Sequence, residues 1–102
     1  MPFIYHITTQ PEWTKAQQQG YYEAPSLHIE GFIHTSREEQ VKGVLERYYK
    51  GKTDLLKLVI DTSKLSSPLK YELAPSVGEE FPHIYGVINL EAIVEVVAVH
   101  SL

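Results

Sequence analysis

Both helix-start signatures of this chain lie in its first half, and that limits the fold more than any other feature. Thr9 is a good N-cap and Glu12 follows three residues later, the spacing of a capping box in which side chains satisfy two otherwise orphaned amides. Trp13 and Ala16 give this helix a short buried stripe, and Gly20 marks its stop. Ser36 with Glu39 repeats the signature. Val41, Val44, Leu45 and Tyr48 then recur at i, i+3, i+4 and i+7, an apolar stripe of helical period that Gly51 closes. Strand patterns surround these helices and fill the second half, at residues 3–7, 31–35, 55–60, 69–73, 83–88 and 93–99. The last is rich in β-branched residues and reads as a central strand. In residues 69–73, Leu69, Tyr71 and Leu73 face one way and Lys70 and Glu72 the other, so Glu72 reads as solvated. Residues 21–30, 61–68 and 74–80 read as loops.

Helices gathered in one half, with strands filling the other, predict a small single-domain α+β fold over residues 1–102 rather than a doubly wound sheet. The sheet is expected to be mixed or antiparallel, with parallel βαβ units open for the first half. A chain of 102 residues can bury one core without metal or disulfide support. It has no cysteine, which excludes disulfides, thiol nucleophiles and cysteine-ligated zinc. The formal net charge is -4 with no basic block, so the phosphate-backbone footprint of a nucleic-acid binder is missing. MPFIYHITTQ has neither the basic start nor the apolar core of a signal peptide, and no run approaches a membrane span. The expectation is a soluble cytoplasmic protein; the sequence leaves its oligomeric state open.

Three of the five histidines sit inside or beside apolar runs: His6 in FIYHIT, His34 in GFIHTS and His83 in FPHIYG. His28 lies in a loop and His100 near the C-terminus. An imidazole in an apolar strand needs a hydrogen-bond partner or it costs about 1–3 kcal/mol. Each of the three has hydroxyls close by: Tyr5 and Thr8, Thr35 and Ser36, and Tyr85. One such histidine is more often a satisfied structural residue than a catalytic one, but a recurring context points to a shared cleft. No local H-x-H or H-E-x-x-H pair exists, so a histidine-ligated metal site would need convergence through the fold alone. Ser36 and Thr35 lack a nucleophile elbow, and Ser36 reads as a helix cap whose amides could also receive an anion. Glu79 and Glu80 are loop carboxylates able to orient a histidine.

FIYHITTQPEW, EGFIHTS with its helix, LLKLVID, LKYE and FPHIYGVINLEAIVEV, taken in order, resemble the family called "domain of unknown function 952" over nearly the whole chain. That family is in turn distantly similar to the ADP-ribosyltransferase-like fold. The resemblance implies that His6 and Thr8 hold the ribose of NAD, with Ile7 standing where the superfamily has glycine. It places Gly31, His34, Thr35 and Ser36 in the second motif, with a histidine in the ring position. His83 or Tyr85 falls near the third, where no glutamate aligns.

The expected site is therefore a cleft with His6, His34 and His83 as catalytic residues and Thr8, Thr35, Ser36, Tyr85 and Glu72 as ligand contacts. Its expected partner is a small nucleotide-like molecule, with NAD as a candidate substrate and no resident cofactor. A ligand-binding module without catalysis and a histidine metal site are the alternatives.

Overall fold

The computed structural model describes residues 3–99, so His100 lies outside the described residues. Strand β1, Phe3–Thr9, leads directly into helix α1, Gln10–Gln19. Thr9 Oγ1 accepts the Glu12 amide at 3.4 Å, and Gly20, at φ 92°, returns its amide to the Ala16 carbonyl at 2.8 Å. The Thr9 cap and the glycine stop are thus read correctly from local sequence, whereas no bond from the Glu12 side chain to the Thr9 amide completes the capping box among the described residues. Residues 21–30 are not the loop expected. They hold a two-residue strand β2, Tyr21–Tyr22, and a five-residue helix α2, Pro25–Ile29. Elements this short carry no periodicity of their own; β2 exists because it pairs with a distant segment.

Strand β3 is only Ile33–His34, and a 3₁₀ turn at Glu38–Gln40 opens helix α3, Val41–Tyr48. Ser36 does not cap this helix. Its amide and carbonyl exchange 2.8 Å hydrogen bonds with Tyr5, which holds it extended. The cap moves one residue on, where Gln40 Oε1 accepts the Arg37 amide at 2.9 Å. Within the apolar stripe Leu45 is buried, whereas Tyr48 is 59% exposed. The stripe outruns the sheet beneath it, and Tyr48 ends at the edge of a cavity.

Strand β4 is Leu55–Asp61, followed by a 3₁₀ turn at Thr62–Lys64. Strands β5, Leu69–Ala74, and β6, Glu79–Ile84, form a hairpin. Strand β7 is Ile88–Asn89, a 3₁₀ turn spans Leu90–Ala92, and β8 is Ile93–Val99. All named pairs are antiparallel, in the orders β1-β4-β8, β2-β7 and β3-β6-β5. The architecture is α+β, and no parallel unit forms among the described residues. β8 is an edge strand and β4 the central one. LLKLVI is buried almost throughout, as a strand covered on both faces must be, while Val94 and Glu95 of β8 are exposed. β-Branching marks a strand without fixing its place in the sheet.

The main core gathers Ile4, Tyr22, Ile33, Leu58, Ile60, Ile84 and Ile88, and a smaller cluster of Ile7, Leu45 and Leu55 lies under α3 with Tyr49. The two three-stranded sheets meet at the Tyr5–Ser36 bridge. Past that bridge they leave the space in which the histidines lie.

Candidate functional site

Period-two alternation along β1 turns Ile4, His6 and Thr8 to one buried face. His6 is buried, and that burial lowers its pKa to about 4, so the ring is neutral. Its Nδ1 lies 2.6 Å from the His34 carbonyl oxygen. A carbonyl only accepts, so the proton sits on Nδ1 and Nε2 is the acceptor. Tyr22 Oη lies 2.7 Å from that Nε2 and 2.9 Å from Thr8 Oγ1. The Tyr22 hydroxyl therefore serves the imidazole, with the Thr8 hydroxyl behind it. Burial also pushes the Tyr22 phenol well above its ordinary range.

The β3–β6 register sets His34 opposite His83. Their ring centroids are 5.4 Å apart, edge to face. Phe32, two residues before His34 and on the same side of the extended chain, stacks on His83 at 4.1 Å with the planes 20° apart. His34 Nε2 lies 2.9 Å from Glu30 Oε2 at an exposed edge. His83 is buried, and its Nδ1 lies 2.8 Å from Glu72 Oε1, which the Tyr85 hydroxyl also reaches at 2.5 Å. Those bonds from Tyr85 and His83 hold the Glu72 carboxyl below the usual carboxylate range, and the same bond raises the Tyr85 phenol. An ionised Glu72 accepts from Nδ1–H, so in the neutral ring it is Nε2 that carries the lone pair. That nitrogen has no hydrogen-bond partner among the described residues.

A cavity of about 720 Å³ is lined by His6, His34 and His83, by Thr8, Thr35 and Ser36, and by Tyr22, Tyr48, Tyr49 and Phe81. Glu72 and Tyr85 stand behind His83, outside the lining. The Thr35 hydroxyl donates to the Pro82 carbonyl at 2.6 Å. Glu79 and Glu80 serve Gln40 rather than a histidine: Gln40 Nε2 donates to Glu79 Oε1 at 3.1 Å and to the Glu80 carbonyl at 2.8 Å. Among the described residues no three His, Asp or Glu side chains gather as a metal ligand set, which removes the ground for a histidine metal site. No helix among them is long and apolar enough to cross a membrane.

Three participants escaped the sequence reading. Tyr22 sat in a stretch without periodicity. Glu30 and Phe32 were signalled by spacing, four and two residues before His34, and that spacing could have found them.

Fold and cavity define a class: a small antiparallel α+β protein in which a ring-lined cavity opens between two sheets. The chain belongs to the family described as "Protein of unknown function (DUF952)", whose model matches residues 7–96. It is similar to the crystal structure of protein CC0527 from Caulobacter crescentus, with a TM-score of 0.88 at 28% identity over 97% of this chain and 87% of that one. The solution NMR structure of CC0527 gives 0.81 at 29% identity, covering 96% and 84%. A double mutant of CC0527 in crystals gives 0.87 at 27% identity, covering 97% and 87%. No curated protein matches the sequence significantly.

Proposed function

We propose that the cavity binds a nucleotide-like small molecule and that His83 acts on it as a general base. The Glu72–His83 contact carries this reading. A carboxylate on Nδ1 fixes the tautomer and turns a lone pair on Nε2 toward whatever hydroxyl or water the cavity holds, the orienting logic of a carboxylate–histidine pair. Tyr85 holds Glu72 in place for that role. His34, held by Glu30 and edge-on to His83, stacks on or hydrogen-bonds the leaving base. His6 spends both ring nitrogens on the chain, so it positions Tyr22 and Thr8, whose side chains meet the ligand together with Thr35 and Ser36.

The distant ADP-ribosyltransferase likeness suggests the chemistry. With NAD, an acceptor oxygen would bond ribose C1′ while the C1′–nitrogen bond breaks, its electron pair leaving on neutral nicotinamide. The acceptor's proton would pass to His83 Nε2. Isothermal titration with NAD, ADP-ribose and nicotinamide riboside tests binding: heat that falls in His34→Ala or His83→Ala is expected. No heat from any of the three, or heat indifferent to both substitutions, overturns the reading.

A binding module without catalysis is the second reading. It is favoured by the Thr35 hydroxyl, which is already given to Pro82, and by the lack of any side-chain nucleophile bonded to His83 among the described residues. Binding with NAD left intact after prolonged incubation would select it.

A further inference from the structure

We infer that the cavity recognises the nucleoside end of its ligand and selects against phosphate. This rests on the nucleotide-like reading above and narrows its substrate class. A phosphate site is built first on lysine or arginine, and the cavity lining offers neither. Among the described residues that line it there is no Lys and no Arg, while Glu12 and Glu30 stand on its wall.

Two cations beside lining or supporting rings are turned to those rings instead. Arg47 lies 5.7 Å from the centre of Tyr48, and Lys70 lies 5.0 Å from that of Tyr85; neither lines the cavity. The starts of α1 and α3 do not compensate. At α1, Pro11 has no amide hydrogen, the Glu12 amide goes to Thr9, and the Glu12 carboxylate itself occupies the positive end of the helix. Before α3, the Ser36 amide goes to the Tyr5 carbonyl and the Arg37 amide to Gln40. Two of the amides that the sequence suggested for an anion after Ser36 are therefore spent, and Glu38 does not line the cavity.

What the cavity does offer suits an uncharged or cationic ring with hydroxyls. Tyr22, Tyr48, Tyr49 and Phe81 supply aromatic surface for a base, and Thr8 adds a hydroxyl. A volume of about 720 Å³ accommodates a nucleoside-sized molecule. For a dinucleotide this means that the nucleoside end enters and the pyrophosphate stays outside in water. Like-charge juxtaposition then penalises any phosphate drawn toward Glu12 and Glu30.

Isothermal titration of the whole protein with matched pairs tests this: nicotinamide riboside against its 5′-mononucleotide, and adenosine against AMP. The nucleoside of at least one pair is expected to bind at least about tenfold more tightly than its 5′-phosphate. That gap should narrow at 1 M salt and in the Glu12→Gln, Glu30→Gln double variant, because the repulsion is screened or removed. A phosphorylated partner that binds as tightly as its nucleoside, or more tightly, overturns the inference and leaves the proposed function standing. No binding by either member of either pair, nor by NAD or ADP-ribose, overturns both.

Discussion

His6 meets His34 through the backbone: the imidazole Nδ1–H donates to the His34 carbonyl at 2.6 Å. This bond ties β1 to β3 at the floor of the cavity, while the ring's second nitrogen accepts from Tyr22. Protonating His6 puts a second N–H where the Tyr22 hydroxyl now donates. The pKa of about 4, against an ordinary 6.5, comes first from burial, which disfavours the charged ring.

The sign of the pH dependence follows. Between pH 6.5 and 4 the unfolded chain takes up a proton at His6 that the folded chain refuses. Stability from this residue is complete above the unfolded value and declines by about 3 kcal/mol as pH falls to the folded one. Glu72 and Asp61, both held below the usual carboxylate range, lose their contributions lower, as pH falls through that range. Urea unfolding above about pH 5 therefore isolates the histidine part. His6→Asn should flatten the slope there, and an unchanged slope would reject the assignment.

Tyr22→Phe should destabilise the fold by about 1–3 kcal/mol, because His6 Nε2 becomes a buried acceptor without a donor. Ring volume and core contacts are kept, so the loss reads the hydrogen bond rather than packing. Chemical denaturation at pH 7 measures it, and a neutral result would mean that water replaces the phenol.

Legibility in the sequence followed the range of the interaction. The Thr9 cap was readable because its partner, Glu12, is three residues away. Ser36 carried the same signature and failed, because Tyr5, far back in the chain, had claimed its backbone. Alternation along β1 put His6 among inward residues, so its need for partners was visible, but Tyr22 belongs to a two-residue strand that exists only through β7. Alternation also separated Glu72 correctly from Tyr71, yet the face called solvent is the one that β6 uses to present His83. A hairpin register decides this, and period two alone cannot supply it.

Glu72→Gln should release the tautomer of His83. An ionised carboxylate accepts only, whereas an amide can donate to Nδ1 as readily as accept from it. Nitrogen-15 shifts of the His83 ring should show the proton on Nδ1 in the wild type and a mixture in the variant, and Tyr85→Phe should give a weaker version of the same change. If ligand turnover is found, it should fall with the Nδ1–H population. A single unchanged tautomer in Glu72→Gln would remove Glu72 from its orienting role.

Gly86 faces Ser67 so closely that a side chain cannot fit: a Cβ there would lie 2.5 Å from Ser67 Oγ and 2.9 Å from its Cβ. Ser67 cannot easily retreat, because its hydroxyl donates to the Val87 carbonyl at 2.6 Å. Gly86 follows Tyr85 directly, so a displacement here reaches the hydroxyl that holds Glu72. Gly86→Ala should cost about 1–3 kcal/mol, the usual range for overpacking. The same substitution in a Ser67→Gly background should cost less, since both clashing atoms are gone, with a remainder from the φ of 155°. A double-mutant cycle by urea denaturation measures the difference. Equal costs in the two backgrounds would show that backbone conformation, rather than the Ser67 contact, requires glycine at this position.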